Sequence, residues 1–210
     1  WWMNILFFEG TMRGMFSMLF GAGVLLFTSR KEDTLQGISV TDVFFRRLLW
    51  LLLFGMIHAY LLLWTGEILY CYAIVGMFVF SFRHLSPKKL IIWAIVLLLM
   101  ADSLSVKDYY QLKNLSASAA SANIKKGKGI TLNKEESQSI AKWEEKVGEE
   151  KVTPEKLKGE MDALSKGYAS IVMHKAPENQ FAETIFLYRY NFLDVLAMMM
   201  LGIAFLKNGI

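Results

Sequence analysis

Between Phe44 and Phe82 the chain holds two apolar runs joined by Leu63-Trp64-Thr65-Gly66-Glu67, a pairing that leaves few choices of fold. Arg46-Arg47 followed by Leu48 to Leu63 is about as long as a bilayer crossing requires, particularly when the arginines reach back to the interface. Glu67 opens the return run, which continues to Arg83. A neutral turn at one end and basic residues at the other predict a transmembrane hairpin whose turn faces away from the cytoplasm. The rest of the composition agrees with lipid as the solvent, since 54% of the 210 residues are hydrophobic and the mean hydropathy is +0.35.

Other runs fit around the hairpin. Trp1 to Phe8 is aromatic but too short to span, and reads as an interfacial segment or the tail of an upstream helix. With Trp rather than Met in first place, the chain reads as a piece of a longer protein. Gly14 to Thr28 is short and nearly uncharged, and its Gly14, Ser17, Gly21, Ala22 and Gly23 offer a small-residue face for close helix packing. Arg30-Lys31 with Arg46-Arg47, and Arg83, His84, Lys88 and Lys89, mark the connections 29–43 and 83–89 as cytoplasmic. Leu90 to about Ala101 makes a fourth crossing and Phe181 to Leu206 a fifth.

The prediction is therefore an all-α, polytopic helical membrane protein with about five transmembrane helices. Residues 1–104 carry the central hairpin 44–83, residues 105–180 form a polar extracytoplasmic insertion, and residues 181–210 form the last helix. Within the insertion, Ser116 to Gly129 has the composition of a mobile linker. Helices follow at Asn133 to Val147 and from Thr153, with Pro154 in the first turn, to about Met173. The formal charge of +4 collects at helix ends, so orientation explains it without a nucleic-acid partner. A single cysteine, Cys71, excludes an intramolecular disulfide, and no HExxH, CxxC or Gly-rich phosphate loop is present; no metal is expected.

Ionisable side chains at membrane depth are costly, which makes each a candidate site. His58 lies roughly 7 to 8 Å below the outer end of its helix, placed either as a general base or as a neutral packing histidine. Glu67 is its natural carboxylate partner, or else caps the return helix; Tyr70 or Tyr72 is nearer in level to the imidazole. Arg13 and Glu9 reach the same outer level with Trp64, Asp102 and Arg189, a mixed-sign ring suited to a phosphate or carboxylate head group. Arg189 alone reads as an interfacial anchor. Asp194, deeper in the last crossing, needs a partner from another helix or a proton.

The blocks Arg13-Gly14-Met15-Phe16-Ser17-Met18-Leu19-Phe20-Gly21-Ala22-Gly23, Arg46-Arg47-Leu48-Leu49, Leu53-Phe54-Gly55-Met56-Ile57-His58-Ala59 and Trp64-Thr65-Gly66-Glu67-Ile68-Leu69 resemble those of the YeiB-like bacterial membrane proteins, which carry domain of unknown function 418. Leu193-Asp194-Val195-Leu196-Ala197-Met198-Met199-Met200-Leu201-Gly202 resembles a further block, while 105–179 resembles none. The resemblance implies an inner-membrane location, further helices beyond both ends, and a distant similarity to transmembrane acyltransferases. On that reading His58 is base or acyl carrier, supported by Glu67 and Arg13. The donor is cytoplasmic, acyl-CoA being one candidate, no cofactor stays bound, and the acceptor is an extracytoplasmic glycan or lipid among the membrane lipids. Two other readings stand beside it: a transporter or permease with a path through His58, Asp194 and Arg189, and a non-catalytic scaffold whose insertion meets a periplasmic protein.

Overall fold

A computed structural model describes residues 10–31, 39–64 and 66–209. The interfacial reading of Trp1 to Phe8, the candidate Glu9, residues 32–38 of the connection 29–43 and Thr65 lie outside the described residues. Within them the chain is helical, with no strand. The helices are α1 (Gly10–Lys31), α2 (Val40–Tyr60), α3 (Leu69–Phe82), α4 (Pro87–Gly127), α5 (Lys134–Glu150), α6 (Pro154–Ser165), α7 (Tyr168–Phe181), a π-helical segment (Ala182–Asn191) and α8 (Phe192–Lys207). Among the described residues three stretches are long and apolar enough to cross a membrane: Thr11–Ser29, Pro87–Gly127 and Tyr168–Lys207. Leu69–Ser81 is apolar but shorter.

The chain forms two compact units, residues 1–101 with 168–210, and Asp102–Gly167. In the first, the expected hairpin exists as α2 packed on α3, and α1 packs along α8. The core that joins them includes Leu48, Val75, Val79, Val195, Met199 and Ile203, none more than 1% exposed. Small residues explain the close approach of α1 to α8. A Cβ on Gly21 would stand 2.0 Å from the Met199 carbonyl oxygen, and one on Gly202 would stand 1.9 Å from that of Met18. The expected small-residue face is thus used at Gly21 and at the fully buried Ser17, whereas Gly23 faces open space. Gly55 allows the same closeness in the hairpin, against the Tyr70 backbone nitrogen.

The outward faces stay apolar. Leu49, Trp50, Leu53 and Phe54 on α2, and Ile92, Trp93, Val96 and Leu99 on α4, are all exposed. A soluble domain seldom shows apolar patches of this extent, whereas lipid covers them without penalty.

The second unit is shorter than the expected insertion, because residues from Tyr168 onward pack with the first unit. Tyr168 donates its hydroxyl to the Leu61 carbonyl and Asn179 its amide to that of Ala59. Two local expectations are corrected. The supposed linker after Ser116 is helical to Gly127: its alanines favour helix, and no Gly or Pro interrupts the chain between Pro87 and Gly127. The helix from Thr153 stops at Ser165, where Gly167 takes a φ of +100°, rather than running to Met173. Thr153 caps its helix ahead of Pro154, and Asn133, read as the first residue of its helix, is the cap that precedes it, in a capping box with Glu136.

Candidate functional site

The hairpin turn must satisfy the last carbonyls of α2 and the first N–H groups of α3. Leu61 and Leu62 donate back to Ile57, and Trp64 donates to His58 at 3.2 Å. Leu63 supplies the bend with a φ of +57°, a conformation that a branched side chain adopts only at a cost. On the α3 side Glu67 is the cap: its carboxylate accepts from the backbone N–H of Leu69 and, at 2.8 Å, from that of Tyr70. An anion on a helix N-terminus is stabilised there by the oriented peptide groups. The capping role of Glu67 is therefore filled, and no hydrogen bond joins it to His58.

His58 is half-buried. Its Nδ1 is shielded from solvent and has no hydrogen-bond partner, and the ring lies nearly parallel to that of Trp64, with centroids 6.3 Å apart. Tyr72, weighed as a partner for the imidazole, instead exchanges a 2.9 Å hydrogen bond with Ser17. Ser17 also donates to the Arg13 carbonyl, so the start of α1 is tied to the first turns of α3. Asp194 has the partner it required from another helix: Arg13 donates to its Oδ2 at 3.0 Å and to Asn191 Oδ1 at 3.1 Å. That aligns α1 and α8 in parallel, in the register set by the glycines.

A cavity of about 240 Å³ opens at this end of the bundle. Four of the expected site residues line it together: Arg13, Trp64, Glu67 and Tyr70. His58 does not line it, although its neighbours Ala59 and Trp64 do. Asp194 reaches the cavity only through Arg13, and Arg189 lies apart with its guanidinium 5.7 Å from the Tyr190 ring. Asp102 belongs to the second unit. Among the described residues no cluster of three His, Cys, Asp or Glu could hold a metal ion.

Three polar wall residues, Asn179, Glu183 and Asn191, escaped the sequence reading. They come from α7 and the π-helical segment. Ala182 and Asn191 are about two and a half turns apart in an ordinary α-helix and would face opposite ways. Bonds that reach one residue further widen the turn, and the cavity wall takes Ala182, Phe186, Leu187 and Asn191 in succession. Glu183 itself was legible as a carboxylate just inside an apolar run. Its Oε1 is shielded and has no hydrogen-bond partner, while the Tyr60 hydroxyl faces the carboxylate.

No family model matches the chain, and no solved structure does. Over 86 residues, 41% of its length, it is 44% identical to the uncharacterized protein YxaH of Bacillus subtilis (strain 168). Over 106 residues, 50% of its length, it is 32% identical to an uncharacterized 39.9 kDa protein in the amylase 3′ region of Bacillus acidopullulyticus. It spans 21% and 30% of those proteins' own lengths.

Proposed function

We propose that this chain is part of a YeiB-like bacterial inner-membrane protein, that it crosses the membrane five times, and that its hairpin mouth and polar insertion are extracytoplasmic. The mouth cavity then receives the acceptor of an acyl transfer. One observation carries the reading: Arg13, Trp64, Glu67, Tyr70, Glu183 and Asn191 share a single cavity at one end of an apolar bundle. The opposite end holds Arg83, His84, Lys88 and Lys89, and there Lys207 donates to the Leu85 carbonyl at 2.7 Å. Short basic loops at one end and the polar cavity at the other suit an extracytoplasmic site.

In this reading His58 takes the proton from an acceptor hydroxyl or amine, the freed oxygen or nitrogen attacks the thioester carbonyl of acyl-CoA, the carbon–sulfur bond breaks, and the departing thiolate takes the proton from the imidazolium. Trp64 covers the imidazole and has to move aside for the acceptor to reach it. Arg13, already held by Asp194 and Asn191, presents a fixed donor to an anionic part of the acceptor. Glu67 supports the site by holding the start of α3. The test compares lipids and glycans by mass spectrometry between a deletion strain and strains restored with the full-length gene, wild type or His58→Ala. An acyl-sized mass shift restored only by wild type supports the reading; a shift equally restored by the variant overturns it.

A second reading, transport, is favoured by the Arg13–Asp194 pair that links α1 to α8, since ion pairs among membrane helices also mark substrate paths. Uptake into proteoliposomes that is lost in Asp194→Asn and kept in His58→Ala supports that reading over acyl transfer.

A further inference from the structure

The charges around the cavity do not cancel. Arg13 is matched by Asp194 at 3.0 Å, and Glu67 is matched by the N–H groups that open α3. Glu183 is left over. Its Oε1 has no partner, the Tyr60 phenol that faces it brings no charge, and no described cation pairs with it. A carboxyl group at membrane depth is either protonated or matched by a counter-charge, and a bound cation supplies the second. Three of the other lining residues, Trp64, Tyr70 and Phe186, are aromatic, and aromatic faces attract cations. At about 240 Å³ the space suits a small head group rather than a drug-sized molecule, for which roughly 300–1,000 Å³ is usual.

We propose that this cavity binds a primary ammonium group, free or on a lipid head, with Glu183 as its counter-charge and Trp64, Tyr70 and Phe186 as its flanking rings. The inference rests on the reading of the cavity as an acceptor site and names the acceptor's class: an amine-bearing head group. Arg13, which also lines the cavity, receives any phosphate that accompanies the amine.

The test uses the full-length protein in dodecyl maltoside and titration calorimetry with four probes. Ethanolamine is compared with N-acetylethanolamine, which lacks the charge, and dihexanoyl phosphatidylethanolamine with dihexanoyl phosphatidylglycerol. The amine-bearing member of each pair binds at least tenfold tighter to wild type, and Glu183→Gln removes that preference. Tighter binding of phosphatidylethanolamine than of ethanolamine assigns the source to lipid; equal binding assigns it to the free amine. Equal affinity within both pairs, or saturation by neither amine, overturns the proposal. Because the first comparison needs only wild type, a variant that fails to fold does not rescue it. If amine preference is absent while His58→Ala still abolishes the acyl mass shift, acyl transfer stands and only the ligand class falls.

Discussion

Gly21→Ala tests the packing that aligns the site. The new Cβ would stand 2.0 Å from the Met199 carbonyl oxygen, where ordinary contact begins at 3.4 Å, so α1 and α8 have to part by roughly 1.4 Å. Overpacking of a close-packed core typically costs about 1–3 kcal/mol. The parting also loosens the contacts of Val195, Met199 and Ile203, and a gap of that size forfeits a quarter to a half or more of each atom pair's attraction. A loss of about 3 kcal/mol follows. Gly23→Ala, two residues on, meets nothing within 4 Å. It is neutral or gains up to about 1 kcal/mol in helix propensity. The two variants therefore differ by up to about 4 kcal/mol, near a thousandfold in the unfolding equilibrium. Unfolding of the full-length protein in mixed micelles, followed by tryptophan fluorescence as the SDS fraction rises, measures both. Equal midpoints for Gly21→Ala and Gly23→Ala would refute the close crossing of α1 and α8.

Asp194→Leu removes one of the two acceptors that hold Arg13 and lowers the midpoint in the same assay, whereas the double variant Arg13→Met with Asp194→Leu recovers most of the loss, because no charge is then left without its partner. Asn133→Ala removes the cap of α5 and costs about 1 kcal/mol, read as faster hydrogen exchange at the amides of its first turn. Lys125 and then the Asn133 N–H hold the Glu136 carboxyl below the usual carboxylate range. Because its folded value is depressed, the contribution of Glu136 to stability is present above the ordinary carboxylate range and fades as pH falls through the folded value. Carbon-13 titration of the glutamate carboxyls shows Glu136 protonating below the ordinary glutamate range, and Lys125→Met raises it.

Legibility followed period and charge. The hairpin, the capped helices of the insertion and the requirement of Asp194 for a foreign partner were all readable, because each depends on local pattern or on the high cost of a membrane charge. The polar end of the bundle was legible too, and Arg13, Trp64, Glu67 and Tyr70 do meet there. Three features hid from the same reasoning. The helix through Ser116 to Gly127 looked like a linker because its composition is polar, although alanine-rich polar sequence is also good helix. The return of Tyr168 and Asn179 to the hairpin depends on side chains that reach backbone carbonyls far away in sequence. The wall formed by Glu183 and Asn191 obeys a helical pitch that no search at 3.6 residues per turn detects.

That pitch makes chain length, and not side chains alone, a constraint on this protein. Ends of membrane helices usually absorb a gained or lost residue by sliding a little further into the interface. Between Ala182 and Asn191 such slack is absent, because one residue corresponds to a rotation of roughly 100° once the segment relaxes to α-helix. A deletion there would turn Glu183 out of register with Asn191, and would swing either Asp194 away from Arg13 or Asn179 away from Ala59. The ten residues act as a gearbox between two helices, and related chains that keep the site should keep their number.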